Sequence, residues 1–290
     1  MTDVYASQIF SSKSIRCDTA SDYEIHMLIC ERDVTEALWC LKTFYYFSGL
    51  RTKLFFHDDG SLKNGSIQTF KKHFVGCEVI RKIDADIFLK KSLGGYEFCS
   101  RYRLDSSDRM TITSMKLFDP IFYTQTHKTL ILDADVLFFK KPTEIMECMR
   151  ANRGCFMSDY HDAYSFPREI LNRLLGVEMK ESVNTGILYI PLDLRNELGF
   201  IETFLKYSGE NGYPHSNWIE QTSWAALFSK HQELFTRLPA SYQIADQRAI
   251  GSETVSCHLV HNGTRESVYQ KSFEYLQAKN FLGTLNESIL

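Results

Sequence analysis

The 290-residue sequence predicts an α/β fold: a mixed, mostly parallel central sheet flanked by helices, in a single domain. Two observations predict it. Apolar, β-branched runs alternate with helical patterns through the first third of the chain, which is how parallel sheets are wired. Polar side chains then gather at the C-terminal ends of those runs, where open α/β sheets collect their ligands.

In chain order, "EIHMLICE" (24–31) reads as a strand and "TEALWCLKTFYYFSG" (35–49) as a helix closed by Gly49. "TKLFFHDDG" is the next strand and ends in a turn, "SIQTFKKHFVG" is a short helix, "CEVIRKI" a strand and "ADIFLKKSL" a helix. Residues 113–125 have helical spacing, with Met115, Phe118 and Phe122 on the apolar side, and Pro120 predicts a kink or a split into two short helices. "KTLILDADVLFFKKP" (128–142) carries a strand, and "PTEIMECMR" starts a helix with Pro142 suited to its first turn. "GCFMSDY" is a strand, "PREILNRLLG" a helix, "VNTGILYIP" (183–191) a strand, and after two more helical stretches "VSCHLVHNG" (255–263) is a late strand. The last 25 residues read as one amphipathic helix. The polar residues at strand ends are Glu31 and Arg32, His57 to Asp59, Asp133 and Asp135, Asp159, and His261.

Composition narrows the function classes. A net charge of -3 gives no reason to expect a nucleic-acid partner. Eight cysteines without a C-x-x-C pair point to reduced thiols and a cytoplasmic protein. The N-terminus has no secretory pattern, and no run approaches the roughly 18 apolar residues of a membrane span, which leaves room only for peripheral membrane contact. Three N-x-[ST] triplets, at Asn64, Asn262 and Asn286, are read as chance.

Asp133 and Asp135 are the most telling pair. Side chains of an extended chain alternate with period two, so these two carboxylates share one side. They repel each other, and burying them unpaired would be costly. A divalent cation bridging them to a diphosphate resolves both problems, and Mg²⁺ or Mn²⁺ accepts carboxylate and phosphate oxygens together.

"LILDADVLFFKKP" resembles the D-x-D strand of GT-A glycosyltransferases, especially family 8 and its bacterial relatives, which transfer sugars from nucleotide donors. Further segments are similar in the same order. "LFFHDDGSL" resembles a second-strand turn, and Lys116, seventeen residues before Asp133, stands where the family has a basic residue facing the donor. "VNTGILYIP" is similar to the N-[SAT]-G strand, "IEQTSWAALF" to the [DE]-Q helix, and "HLVHNGTR" to the late metal-ligand strand. The resemblance covers about residues 24–265. It departs in two places. His261 is followed by glycine two residues on rather than three, and the usual arginine is replaced by Lys116.

The resemblance implies an extension (1–23), a GT-A catalytic domain (24–265) and a C-terminal helix (266–290), with residues 24–140 binding the nucleotide-sugar and 141–265 the acceptor. It implies Mn²⁺ or Mg²⁺ as cofactor, held by Asp133, Asp135 and His261, and a UDP-hexose as the expected donor. The rival ligand is His258. Three positions from His261 in one strand, it would face the other way, and His261 is favoured because it ends the strand beside Asn262 and Gly263. Lys116 would offset charge on the leaving diphosphate. Glu31 and Arg32 would receive the base, Asp58 and Asp59 would shape a turn and touch base or ribose, and Asp159, Asn184, Glu220 and Gln221 would surround the transferred sugar. Tyr160 and Tyr164 either stack on a sugar face or belong to a plain loop. Family 8 retains anomeric configuration, so retention is expected. An inverting enzyme would need a carboxylate base, a role open to Asp159 or Glu220.

The acceptor is a glycan, a lipid-linked sugar or a protein, chosen by loops such as 93–113 and 160–182. Two other readings are a phosphatase of the haloacid dehalogenase type and a non-catalytic nucleotide-sugar-binding protein. The former normally places its D-x-D on the first strand, with the first Asp as nucleophile.

Overall fold

A computed structural model of the chain describes residues 7–105, 110–213, 215–245, 250–260 and 265–287. Its centre is a seven-stranded sheet in the order β10-β8-β9-β6-β2-β3-β5. These are β2 (Glu24–Ile29), β3 (Lys53–Asp58), β5 (Glu78–Ile80), β6 (Thr129–Leu132), β8 (Gly154–Ser158), β9 (Val183–Ile190) and β10 (Phe235–Arg237). Pairing is parallel except at β9, which runs antiparallel to both β6 and β8. The expected mixed, mostly parallel sheet is the one observed.

Two small sheets complete it. β1 (Ile15–Arg16) pairs with β4 (Phe74–Val75), which ties the N-terminal extension to the body. β7 (Val136–Phe138), β12 (Ser256–His258) and β11 (Tyr242–Ile244) form the other, with β12 antiparallel to β7.

Alternate residues of the central strands feed two cores on opposite faces of the sheet. Leu130, Leu132, Ile187 and Tyr189 join helix Val34–Ser48 and the C-terminal helices on one face. Ile131, Leu188 and Ile190 join helices Met110–Tyr123, Leu198–Glu210 and Ile219–Lys230 on the other. Helix Val34–Ser48 stops at Gly49, whose φ of 69° is left-handed and whose N–H returns to the Tyr45 carbonyl.

Three elements differ from expectation. Residues 110–123 form one helix that contains Pro120. Proline has no N–H to offer the carbonyl four residues back, so the helical ladder is interrupted at Lys116 without ending the helix. The C-terminal segment is two helices, Arg265–Ala278 and Phe281–Glu287, parted at Asn280, which adopts a left-handed φ of 48°. The late strand is only Ser256–His258, and His261 lies outside the described residues.

A buried polar chain crosses the second core. Glu24, His26, His57, Asp119 and Arg103 are all at most 1% exposed. His26 Nδ1 lies 2.8 Å from His57 Nε2, and Arg103 grips Asp119 with two bonds of 2.7 and 3.2 Å. Burial pushes the His26 imidazole down to about 4. Burial alone would raise Glu24, but the His26 imidazole 3.8 Å away and bonds from Thr124 and the Gln125 N–H hold it down at about 2. Both shifts have the same sign for stability. The unfolded chain takes up a proton on His26 below its ordinary 6.5 and on Glu24 below 4.5, where the folded chain still resists. These two groups should therefore make stability fall as pH drops from about 6.5 toward 4, and further toward 2, and His26→Gln removes the first part of that fall. Urea unfolding of wild type and His26→Gln at stepped pH measures this, and equal slopes in the two between about pH 6.5 and 4 would count against it.

Candidate active site

The site lies where β6 ends. Asp133, Ala134 and Asp135 form a tight turn between β6 and β7, closed by the Val136 N–H on the Asp133 carbonyl at 3.3 Å. The two carboxylates are therefore brought together by a turn, not by the pleat of a continuous strand as the period-two reading supposed. Both backbones are pinned: the Asp133 N–H donates to the Gly186 carbonyl at 2.9 Å, and the Leu259 N–H to the Asp135 carbonyl at 2.8 Å.

The third member comes from β12. Its antiparallel register sets His258 opposite Val136, at the end of the acidic turn. His258 Nε2 lies 3.2 Å from Asp135 Oδ1 and 3.5 Å from Asp133 Oδ2. One ligand atom from each of Asp133, Asp135 and His258 falls within 4.8 Å of the others. His261, the residue favoured from sequence, is outside the described residues, so the histidine seen at the acids is the rival, His258. The parity argument assumed a strand through 261, whereas the strand stops at 258.

Asn184 fixes the imidazole. Its Nδ2 donates to Asp159 Oδ2 at 3.2 Å, and its Oδ1 accepts from the Gly186 N–H at 2.9 Å. That sets the amide's orientation, so the 2.9 Å contact between Asn184 Oδ1 and His258 Nδ1 requires an Nδ1–H. Nε2 then faces the acids with a lone pair or a second proton. Burial would lower this imidazole, but the Asp135 and Asp133 carboxylates outweigh it and hold the proton above its usual range.

A local irregularity in β9 delivers Asn184. Phe156 of β8 faces Leu188, yet the next residue, Met157, faces Asn184, so Thr185 to Ile187 bulge without a β8 partner. Gly186 within the bulge is pressed by His258: a Cβ there would sit 2.4 Å from Nδ1. Gly186→Ala should displace the imidazole, weaken Mn²⁺ binding and cost about 1–3 kcal/mol of stability. Mn²⁺ titration and thermal unfolding of that variant measure both, and wild-type affinity would mean the ring is not held there.

Lys116 enters from helix 110–123. Its Nζ lies 2.7 and 2.8 Å from the two Asp133 carboxylate oxygens, 3.0 Å from Thr185 Oγ1 and 3.9 Å from Glu220 Oε1. Burial would lower this amine, but Asp133 and Glu220 outweigh it and raise it, so Lys116 is a cation. Burial pushes Glu220 up to about 7, against the opposing pull of Lys116. Thr185 links the two by donating to Glu220 Oε2 at 3.3 Å. Sequence reasoning passed over Thr185, although it is the middle residue of the "NTG" segment that it quoted.

The remaining candidates sit further out. Gln221 is half-buried, and its Nε2 donates to the Ala163 carbonyl at 3.2 Å. Asp58 is buried and spent on its turn: Oδ1 accepts from Gly60 and Leu62 N–H groups at 2.8 and 3.0 Å, and Oδ2 pairs with Arg81 at 2.7 Å. Asp59 accepts from the Ser61 N–H at 2.9 Å. Glu31 accepts from the Lys63 N–H at 2.9 Å, and Arg32 is exposed beside Asp33. Tyr160 is exposed, with its hydroxyl on the Ile244 carbonyl at 2.7 Å, whereas Tyr164 is buried and donates to the Lys180 carbonyl.

No protein-family model matches this chain, and no curated protein is similar to it in sequence. Solved structures do share its fold. A galactosyltransferase, LgtC, in complex with donor and acceptor sugar analogues is similar with a TM-score of 0.57 at 13% identity, over 88% of this chain and 95% of that one. Mouse xyloside xylosyltransferase 1 in its apo form is similar with a TM-score of 0.53 at 12% identity, over 90% and 93%. The bifunctional glycosyltransferase WbbM gives 0.56 at 9% identity, over 95% of this chain and 53% of that one. Over most of its length, the chain has the GT-A glycosyltransferase fold.

Proposed function

We propose that this protein is a metal-dependent, retaining glycosyltransferase that moves a hexose from a UDP donor to an acceptor hydroxyl. The observation that carries the reading is the Asp133–Asp135–His258 group, placed at the ligand-collecting end of a GT-A sheet. Two carboxylates and an imidazole, oriented through Nδ1–H by Asn184, are a donor set suited to Mn²⁺ or Mg²⁺. A cation held there would act as a Lewis acid toward the donor diphosphate.

The chain's own residues supply the rest. Lys116 is a fixed buried cation beside Asp133, so charge growing on the departing diphosphate meets a positive group already in place. Glu220 Oε1 is buried and has no hydrogen-bond partner among the described residues, which suits it to accept from a sugar hydroxyl. Asp159 holds Asn184, and so acts on the imidazole at one remove. For the acceptor, the segment after Asp159 lines a surface hollow of about 690 Å³ with Asp162, Phe166 and Arg168, joined by Asn211 and His215. Eight cysteines without a C-x-x-C pair support work in a reducing compartment, the cytoplasm.

The test is incubation with UDP-hexoses and Mn²⁺. Slow release of UDP, abolished by EDTA, is expected, together with no hydrolysis of p-nitrophenyl phosphate. Full turnover in EDTA, or hydrolysis of the phosphate ester, would overturn the reading. Within the same assay, Lys116→Ala should lower kcat by about 10²- to 10³-fold with a smaller rise in donor KM. Lys116→Arg should keep much of the activity, because the diphosphate needs a cation. Wild-type kcat in Lys116→Ala would remove this residue from the mechanism.

A further inference from the structure

Helix Lys82–Ser92 is apolar on both sides. Ala85 and Leu89 are fully buried, while Ile83, Ile87 and Phe88 are 68%, 69% and 43% exposed. Large apolar side chains exposed together on one helix mark a surface for a partner. Positions 83 and 87 stand one turn apart on the outer face, and Phe88 lies on its flank beyond Asp84. Phe88 is held there rather than loose, packed edge-on against Phe122 and Tyr123 at centroid distances of 6.3 and 5.4 Å.

The charges around the face are uneven. Lys82 is paired with Asp86, which also accepts from Arg103 at 2.7 Å, and Arg81 is paired with Asp58. Lys90 and Lys91, at the end of the helix, are exposed and have no ion-pair partner among the described residues. Asp84 is the one exposed acid on the helix, so two lysines face one aspartate.

We propose that this face rests on an anionic bilayer, with Ile83, Ile87 and Phe88 entering the headgroup boundary and Lys90 and Lys91 among the lipid phosphates. Apolar side chains flanked by lysines are what an interfacial helix needs. A second copy of the chain fits less well. Three apolar side chains on one short helix fall far below the roughly 20 residues a side of a stable protein interface. The helix follows directly on β5, the edge strand of the central sheet. The contact does not depend on the transferase reading.

The full chain is mixed with phosphatidylcholine vesicles, with and without phosphatidylglycerol, and sedimented. Binding to the phosphatidylglycerol vesicles is expected, weakened roughly tenfold or more by Lys90→Glu with Lys91→Glu. Ile83→Ser with Ile87→Ser should likewise release the protein from the phosphatidylglycerol vesicles. These are exposed positions, so each variant should unfold at the wild-type temperature. Equal vesicle binding by wild type and both variants would overturn the proposal. So would a concentration-dependent dimer, seen by light scattering, that the isoleucine variant abolishes.

Discussion

Asp135→Ala is expected to lower sugar transfer by about a thousandfold or more while leaving the fold intact. The two halves of that result have separate causes. The Asp135 carboxylate is part of the three-residue donor set, and its loss would take one of two negative ligands from the proposed divalent cation. Removing one preorganised electrostatic contact to a transition state typically costs 10²- to 10³-fold, and a metal ligand adds the loss of the cation itself. The fold does not depend on that carboxylate. The turn is held by backbone bonds, through the Val136 and Leu259 N–H groups, whereas the carboxylate faces His258 at 3.2 Å. Transfer assays and thermal unfolding on the same preparation decide it. Unchanged activity would remove Asp135 from the site, and a collapsed fold would make the acid structural.

The largest expected effect on stability lies elsewhere, at Asp119. This carboxylate and the Arg103 guanidinium that grips it are fully buried, and Asp119 stands one turn from Lys116 on the same helix. Burial would raise the Asp119 carboxyl, but the His57 imidazole 3.7 Å away and the bonds and charge of Arg103 outweigh it and hold it below its usual range. Asp119→Ala takes from the buried Arg103 its two-bonded partner and leaves it only the half-buried Asp86 at 2.7 Å, which should cost up to about 3–5 kcal/mol. Replacing both partners, as Arg103→Met with Asp119→Leu, should recover most of the loss because no unpaired charge remains. Denaturant unfolding of the three variants measures the cycle. Equal losses in the single and double variants would mean that packing, not charge, is at stake.

Much of this architecture is legible in the sequence because it is carried by periodicity. "EIHMLICE", "TLIL" and "VNTGILYIP" are buried runs of strand length, and each is a strand of the central sheet. The helices whose ends Gly49 and Gly176 mark in the sequence do stop there. The site is legible only in part, because a motif names residues but not their geometry. The D-x-D acids sit in a turn because β6 and β7 belong to different sheets, and only the pairing of β7 with β12 reveals that. The same pairing brings His258 to the acids. Three positions separate the two histidines, and choosing between them depends on where β12 ends, which "VSCHLVHNG" does not mark. Asp58 and Asp59 look exposed in a strand-end motif, yet their oxygens are taken up by neighbouring N–H groups and Arg81. The buried chain from Glu24 to Arg103 leaves no local signal, since its members lie on separate strands and helices.

Calorimetric titration of UDP into the protein, with and without Mn²⁺, tests the central claim most directly. It reads the proposed diphosphate site without requiring the acceptor to be known. The account predicts binding that needs Mn²⁺ and disappears in Asp135→Ala and in His258→Ala. UDP binding of equal strength with EDTA present, or retained in both variants, would contradict it.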